Sequence, residues 1–406
     1  MIVGAGEYYK KIVGPSLLKL EEEGLVKVIC AVDILAKKQV KQHDFEDIEY
    51  RQRGQNQLLS ELLSDLKSKD PVVLLGHVNY LHTPDVDDLL ENGFTVMLEK
   101  PYALSMNQLT RIKELNNKYP SKLVLVEYYL TMKNVPLLLM AGLIKKESFY
   151  TQKEGILNYH QTLDNYFGDL DNLVGSFSRE LGEVKEVEVN LLEGDGETGR
   201  LDQRGSYLSD RTKGGGMIMD LGIHAVITLF ALQKYIGNIE SSFAKSNVKI
   251  AYNNNYFKMA QESFGLSTND IAESYSEINL VTSKKIPVKV LLGKYIPENK
   301  NQRQIIIKGD KGKLIMDMSE CSLVLENDKV NSKKLLTIPK KTESKYYPVI
   351  RSAYEKLENN LPFSFNLNEV CLQAQELIIK LRDRAYTSEN KKVFYKSNYK
   401  PQDIFI

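Results

Sequence analysis

The chain has 406 residues, too many for one ordinary hydrophobic core, so two domains are expected. Hydrophobic residues make up 42% and charged residues 26%, an ordinary globular balance. A net charge of +1 supplies no global field for nucleic acid or an anionic membrane, so neither is expected as a partner.

Two local basic clusters, Lys37, Lys38 and Lys41, then Lys333, Lys334, Lys340 and Lys341, read as solvated surface. Cys30, Cys321 and Cys371 lie too far apart for a metal-type pair, and their odd count fits a reducing compartment. His43, His77, His82, His160 and His224 show no zinc-ligand spacing, so no metal is expected. No apolar stretch approaches the roughly 20 residues of a membrane helix. The chain reads Met1-Ile2-Val3-Gly4 straight into a glycine motif, with no room for a signal peptide, so the cytoplasm is the default expectation.

Residues 1–130 alternate short apolar runs with amphipathic stretches. Strands are expected at residues 2–3, 26–32, 72–76, 95–99 and 122–126. Between them, Leu17, Leu18 and Leu20 mark one helix, and Leu58, Leu59, Leu62, Leu63 and Leu66 stripe another. Thr83-Pro84-Asp85 reads as a helix start with Pro at the first position. Ser105 with Gln108 forms a capping box ahead of Leu109, Ile112 and Leu115. Strands alternating with helices predict βαβ units, and so an α/β Rossmann-type doubly wound parallel sheet.

The pattern then changes. Residues 184–192 alternate around charges, as in a sheet with one wet face, and strands are expected at 278–281, 288–292, 304–308 and 313–316. Gly309-Asp310-Lys311-Gly312 is a turn signal, and Asn253–Asn255 reads as a loop. Residues 131–345 are therefore expected to form an α+β domain with an open, mostly antiparallel sheet. In the segment 346–406, an amphipathic helix over 367–384 is expected to pack back on the first domain.

Three motifs carry chemistry. Gly4-Ala5-Gly6-Glu7-Tyr8-Tyr9 follows a strand and opens a helix, where backbone can approach a pyrophosphate. Asp33 ends the second strand, where a carboxylate can bind both ribose hydroxyls of NAD and repel the 2′-phosphate of NADP. Glu99-Lys100-Pro101 ends a parallel strand, the edge at which α/β ligand sites form. Lys100 there can hydrogen-bond a substrate hydroxyl. Farther on, Gly214-Gly215-Gly216 leads to Asp220, Gly222 and His224. Asp220 and His224 are four apart, so on one helix they share a face, and a carboxylate there can orient the imidazole. The competing reading is a core histidine, since Ile223, Ala225, Val226 and Ile227 surround it. Arg211 and Arg303 are candidates for substrate oxygens or a phosphate, with plain surface charge as the alternative.

These elements, in order and spacing, resemble the glucose–fructose oxidoreductase / inositol dehydrogenase / rhizopine-catabolism (Gfo/Idh/MocA) family. The resemblance implies an NAD-binding domain followed by an α+β domain whose open sheet makes a homodimer or homotetramer. It implies hydride transfer between a carbinol carbon of a small polyhydroxylated substrate (a sugar, sugar phosphate or cyclitol) and nicotinamide, in a cleft between the domains. Lys100, Asp220 and His224 match the family's catalytic residues. Gly4, Gly6, Glu7, Tyr8, Asp33, His82, Glu99 and Lys100 fall on the cofactor side, and Lys100, Arg211, Asp220, His224 and Arg303 on the substrate side. Three departures stand out: Tyr9 at the third small position of the fingerprint, Ile227 where many members carry a second acid, and a long Tyr-, Asn- and Asp-rich stretch over 147–177. A dinucleotide-sensing regulator of the same fold is one alternative, and a reductase of an aromatic substrate of the biliverdin or dihydrodiol type is another.

Overall fold

The computed structural model describes residues 1–4, 13–34, 48–144, 174–194, 206–296, 301–327, 330–337, 365–388, 392–396 and 404. Gly6, Glu7, Tyr8 and Tyr9 lie outside these residues, as do Lys37, Lys38, Lys41, Lys340, Lys341 and positions 147–173. Among the described residues, one compact unit holds 1–132 and 367–375, and a second holds 133–337, 365–366 and 376–404.

The first unit is a six-stranded sheet of β1 (Ile2–Val3), β2 (Cys30–Asp33), β3 (Glu49–Gln52), β4 (Val72–Leu75), β5 (Thr95–Leu98) and β6 (Leu123–Leu125). Their order is β3-β2-β1-β4-β5-β6, and every pairing is parallel. Helices α1 (Gly14–Glu22), α2 (Leu59–Leu62), α3 (His82–Glu91) and α4 (Met106–Lys118) intervene. Strand order reverses between β1 and β4, which makes that junction the switch point where ligands of open α/β sheets bind. Ile2, Leu17, Leu20, Ala31, Leu74, Met97 and Val124 pack one core cluster.

Local differences from expectation have local causes. β2 begins at Cys30 rather than at 26. The Val26 and Val28 amides bond instead to the Leu20 carbonyl and the Glu21 side chain, at 3.4 and 3.2 Å. The leucine-striped helix stops after α2 and continues as a 3-10 turn over Ser64–Lys69. Arg51 donates to the Leu62 carbonyl, the acceptor a continuing α-helix would need, and the Leu66 amide turns to Leu63 at 3.0 Å. α3 starts at His82, so Pro84 sits within the first turn, where its missing N–H costs nothing. Ser105 caps α4 by accepting the Gln108 amide at 3.3 Å, and the Gln108 side chain accepts the Leu104 amide at 2.8 Å.

In the second unit, α5 (Val135–Met140) and α6 (Phe177–Leu181) precede β7 (Val184–Gly194). Then come α7 (Met217–Asp220), α8 (Gly222–Ala231), α9 (Gln233–Ile236), β8 (Asn247–Asn253), α10 (Asn254–Glu262), β9 (Tyr275–Val281) and β10 (Pro287–Ile296). The strands β11 (Gln302–Gly309), β12 (Lys313–Asp317), β13 (Ser322–Asn327), β14 (Val330–Thr337) and β15 (Phe394–Tyr395) complete it, and α11 (Leu367–Thr387), whose residues 367–375 belong to the first unit, precedes the last. The nine strands run β14-β13-β12-β11-β7-β10-β9-β8-β15. Pairings are antiparallel except β10–β7 and β15–β8. Val187, Val189, Leu191, Val290, Leu292, Ile305 and Ile307 alternate onto the buried face.

The Asn-rich patch is not a loop. Asn253 ends β8 and caps α10, its side chain accepting the Asn255 and Tyr256 amides at 3.0 and 3.2 Å. Gly309 and Gly312 close the expected turn at 2.8 Å. Among the described residues, no single helix is long and apolar enough to cross a membrane.

Candidate active site

The parallel ladder of the first unit places three elements at one sheet edge. The Gly4 amide donates to Val32, Gly76 to Val3, and Glu99 to Leu75, each at 3.0 Å. Beyond these bonds, at the carboxyl ends of the strands, lie Gly4, Asp33, His77 and Glu99-Lys100. Gly4 has φ +94, and a Cβ built there would meet the Cα and N of His77 at 2.8 Å. Backbone approaches backbone at the switch point, a close approach that only glycine permits. A glycine at the end of β1 and a carboxylate at the end of β2, on the edge where open α/β sheets bind dinucleotides, fit a nicotinamide cofactor. Asp33 closes β2 and is partly exposed. Burial, and then the Asp33 carboxylate, push the neighbouring Tyr50 phenol up to about 12.

A polar cluster beneath this edge escaped the motif reading. Asp85, buried on α3, receives both arms of Arg53 at 2.7 Å and meets His77 Nε2 at 2.5 Å. Burial pushes the Asp85 carboxyl up, but His77 and Arg53 outweigh it and hold it below its usual range. His77 Nδ1 is buried and has no hydrogen-bond partner among the described residues. His77 stacks on His82, with ring centroids 5.2 Å apart. His82 is itself fully buried, with Nδ1 2.8 Å from the Pro101 carbonyl and Nε2 3.1 Å from the His77 carbonyl. Burial is the main cause that lowers its pKa to about 4, so the ring is neutral and has one N–H. The shorter contact assigns that proton to Nδ1. His82 thus ties the start of α3 to the segment carrying Lys100.

Glu99 is buried and accepts the Lys100 amide at 3.3 Å, while Lys100 is half-buried before a cis Pro101. Tyr102 anchors the segment leading into α4. Its amide donates to Gln375 at 3.0 Å, and its hydroxyl donates to the Val126 carbonyl at 2.9 Å.

In the second unit the glycine run serves close packing. Gly216 has φ +101, and a Cβ there would collide with the Glu273 carboxylate. Glu273 is buried and accepts the Ile218 amide at the start of α7 at 2.7 Å. The Tyr386 hydroxyl donates to its other oxygen. Burial nevertheless raises the Glu273 carboxyl above its ordinary range. Arg211 lies over the Tyr386 ring, its guanidinium carbon 4.6 Å from the centroid, a cation on an aromatic face.

Asp220 and His224 do not share one continuous helix. α7 ends at Asp220 and α8 begins at Gly222, with a 52° bend between residues Arg211–Asp220 and Gly222–Ala231. Gly222 sits where a Cβ would press on Ile378 at 2.7 Å and on Leu292 at 3.3 Å, so α8 packs closely there. His224 is buried on α8. Asp220 meets Lys294 Nζ at 2.6 Å, Lys294 lies 3.6 Å from Glu193, and Glu193 meets Arg303 at 3.2 Å. Arg303 therefore belongs to an ionic quartet with Asp220. Lys294 and Glu193 were missed because they lie on strands without any local motif. Among the described residues, no His, Cys, Asp or Glu group could hold a metal ion.

No curated protein matches the chain in sequence. Solved structures share its fold at low identity. KijD10, a 3-ketoreductase from Actinomadura kijaniata seen with TDP-benzene and NADP, is 15% identical with a TM-score of 0.57, covering 97% of this chain and 98% of its own. Biliverdin reductase from Synechocystis sp. PCC 6803, seen with biliverdin and NADP+, is 14% identical with a TM-score of 0.57, covering 95% and 97%. Residues 1–128 match the family model described as oxidoreductase family, NAD-binding Rossmann fold, and so carry the nucleotide-binding domain of the Gfo/Idh/MocA oxidoreductases.

Proposed function

We propose that the protein is an NAD(H)-dependent oxidoreductase of a sugar, sugar phosphate or cyclitol. The observation that supports this most is Lys100, held at the carboxyl end of β5 on the sheet edge that also carries Gly4 and Asp33. Nicotinamide, when bound, supplies the acceptor or donor for the hydride of a carbinol carbon. Oxidising a carbinol also requires the hydroxyl proton to leave, so a base near neutrality and a cation for the developing alkoxide are needed. His224 is the base, Asp220 its carboxylate neighbour and Lys100 the cation. Gly4 and the segment after it cradle the pyrophosphate, and Asp33 accepts the ribose hydroxyls and repels a 2′-phosphate. The two neighbours seen with NADP differ from this reading, which rests on the Asp33 carboxylate. Arg211, a cation over the Tyr386 ring, suits a substrate oxygen.

Self-association belongs to the same reading. Ile306, Ile315 and Val324 pair across β11, β12 and β13 on the face opposite the buried one, a cross-strand apolar row suited to a homodimer or homotetramer. The test of function is incubation with NAD and a panel of sugars, sugar phosphates and inositols, followed by NADH absorbance. Tight NADH binding with no turnover across a broad polyol panel would instead establish a sensor. Reduction of a linear tetrapyrrole in place of polyol oxidation would establish the aromatic reading.

A further inference from the structure

Lys294 continues the buried face of Val290 and Leu292 on β10 and stands where that strand changes register. The strand follows β7 in parallel from Val288–Val187 to Gly293–Leu192, then shifts before Ile296 reaches Gly194. Inside that shift Tyr295 adopts φ +60, rare for a bulky non-glycine residue. Strained backbone clusters at functional sites. The backbone is pinned on both sides of Lys294. Its amide donates to Ser274 at 2.9 Å, and its carbonyl accepts the Tyr395 hydroxyl at 2.8 Å.

The Lys294 side chain is left only 9% exposed, with Nζ at 2.6 Å from Asp220 and 3.6 Å from Glu193. Removing an ammonium from water is costly, and an apolar side chain could brace α7 against the sheet without that cost. A buried cation between two carboxylates therefore points to a charge requirement. Arg303 makes the fourth member, so two cations balance two anions. Among the described residues near α7, Glu273 is engaged by Tyr386 and Ile218, Arg211 lies over Tyr386, and Lys213 pairs with Asp210.

We propose that Lys294 is a positioning residue for the reaction, holding the Asp220 carboxylate ionised and in place for His224, with Glu193 and Arg303 completing a neutral quartet. This rests on the reading that Asp220 and His224 act in hydride transfer. Loss of the Lys294 charge leaves the quartet with a net negative charge, which stabilises a protonated imidazole nearby.

The experiment joins kinetics to histidine titration. Lys294→Met should lower kcat about tenfold or more with little change in NADH affinity, and Lys294→Arg should recover part of it. Adding Lys294→Met to Asp220→Asn should cost nothing further, because the lysine acts through the carboxylate. By NMR, with the His224 signal assigned from His224→Gln, its titration should move up by about half a pH unit or more in Lys294→Met. Lys294→Gln serves the same comparison if the Met variant fails to fold. Wild-type turnover in the variant, or an unmoved His224 titration, would overturn the proposal. If the wild type oxidises no member of the panel, the functional reading fails, and the His224 titration alone then decides the role of Lys294.

Discussion

His82 offers a test of the first unit that needs no substrate. It is buried, and its pKa is lowered from an ordinary 6.5 to about 4, chiefly by burial. The folded chain therefore refuses a proton that the unfolded chain accepts, and stability falls as pH drops through 6.5 and levels off below the folded value. Integrated between pH 7 and pH 5, this one linkage amounts to about 2 kcal/mol. The comparison is urea unfolding of the wild type and His82→Gln at both pH values. Gln keeps an N–H donor for the Pro101 carbonyl and does not titrate. His82→Gln should be the less stable protein at pH 7 through poorer packing. The gap should narrow by about 2 kcal/mol at pH 5, since the carboxylates titrate alike in both proteins. Parallel pH profiles for the two proteins would refute the argument, and would mean that His82 carries its charge in the folded state.

Other outcomes rest on the same geometry. His224→Ala and Lys100→Ala should each lower kcat by ~10²-fold or more while NADH binding, followed by fluorescence, changes little. Near-normal turnover in both would remove the mechanism. Steady-state comparison should show at least ~tenfold preference for NAD over NADP, about 1.4 kcal/mol, and equal kcat/KM would shift attention to Lys37 or Lys38 as a phosphate site. Gly4→Ala should weaken NADH binding by ~tenfold or more, because its methyl must displace the His77 backbone packed against it at the sheet edge, and unchanged affinity would show that the cofactor does not approach there.

Why some features were legible and others were not has a physical answer in each case. β4 and β5 are buried runs of Val, Leu and Met, and a parallel strand covered on both faces has no other composition open to it. β3 escaped because Glu49-Tyr50-Arg51-Gln52 is an edge strand with polar side chains, which among the described residues pairs only with β2. The capping of α4 by Ser105 was readable, since both partners lie within one turn. The break of the leucine-striped helix was not, because its cause is Arg51, eleven positions before the Leu62 carbonyl it engages.

The candidate site divides along the same line. Gly4, Asp33 and Lys100 announce themselves because each sits where a strand ends, and strand ends are visible locally. The spacing of Asp220 and His224 predicts a shared helical face, yet the helix bends between them. The carboxylate instead meets Lys294, 74 positions away in sequence. The His77–Asp85–Arg53 cluster is equally long-range, with Arg53 reaching Asp85 across 32 positions. Charges that pair across a sheet leave no periodic trace, since each residue alone reads as surface. Burial is what changes their meaning. An exposed lysine and aspartate contribute little, whereas the same pair held out of water fixes each other's charge and place. Lys294, on a strand without a local motif, is the residue whose removal tests most directly whether such a pair tunes the site.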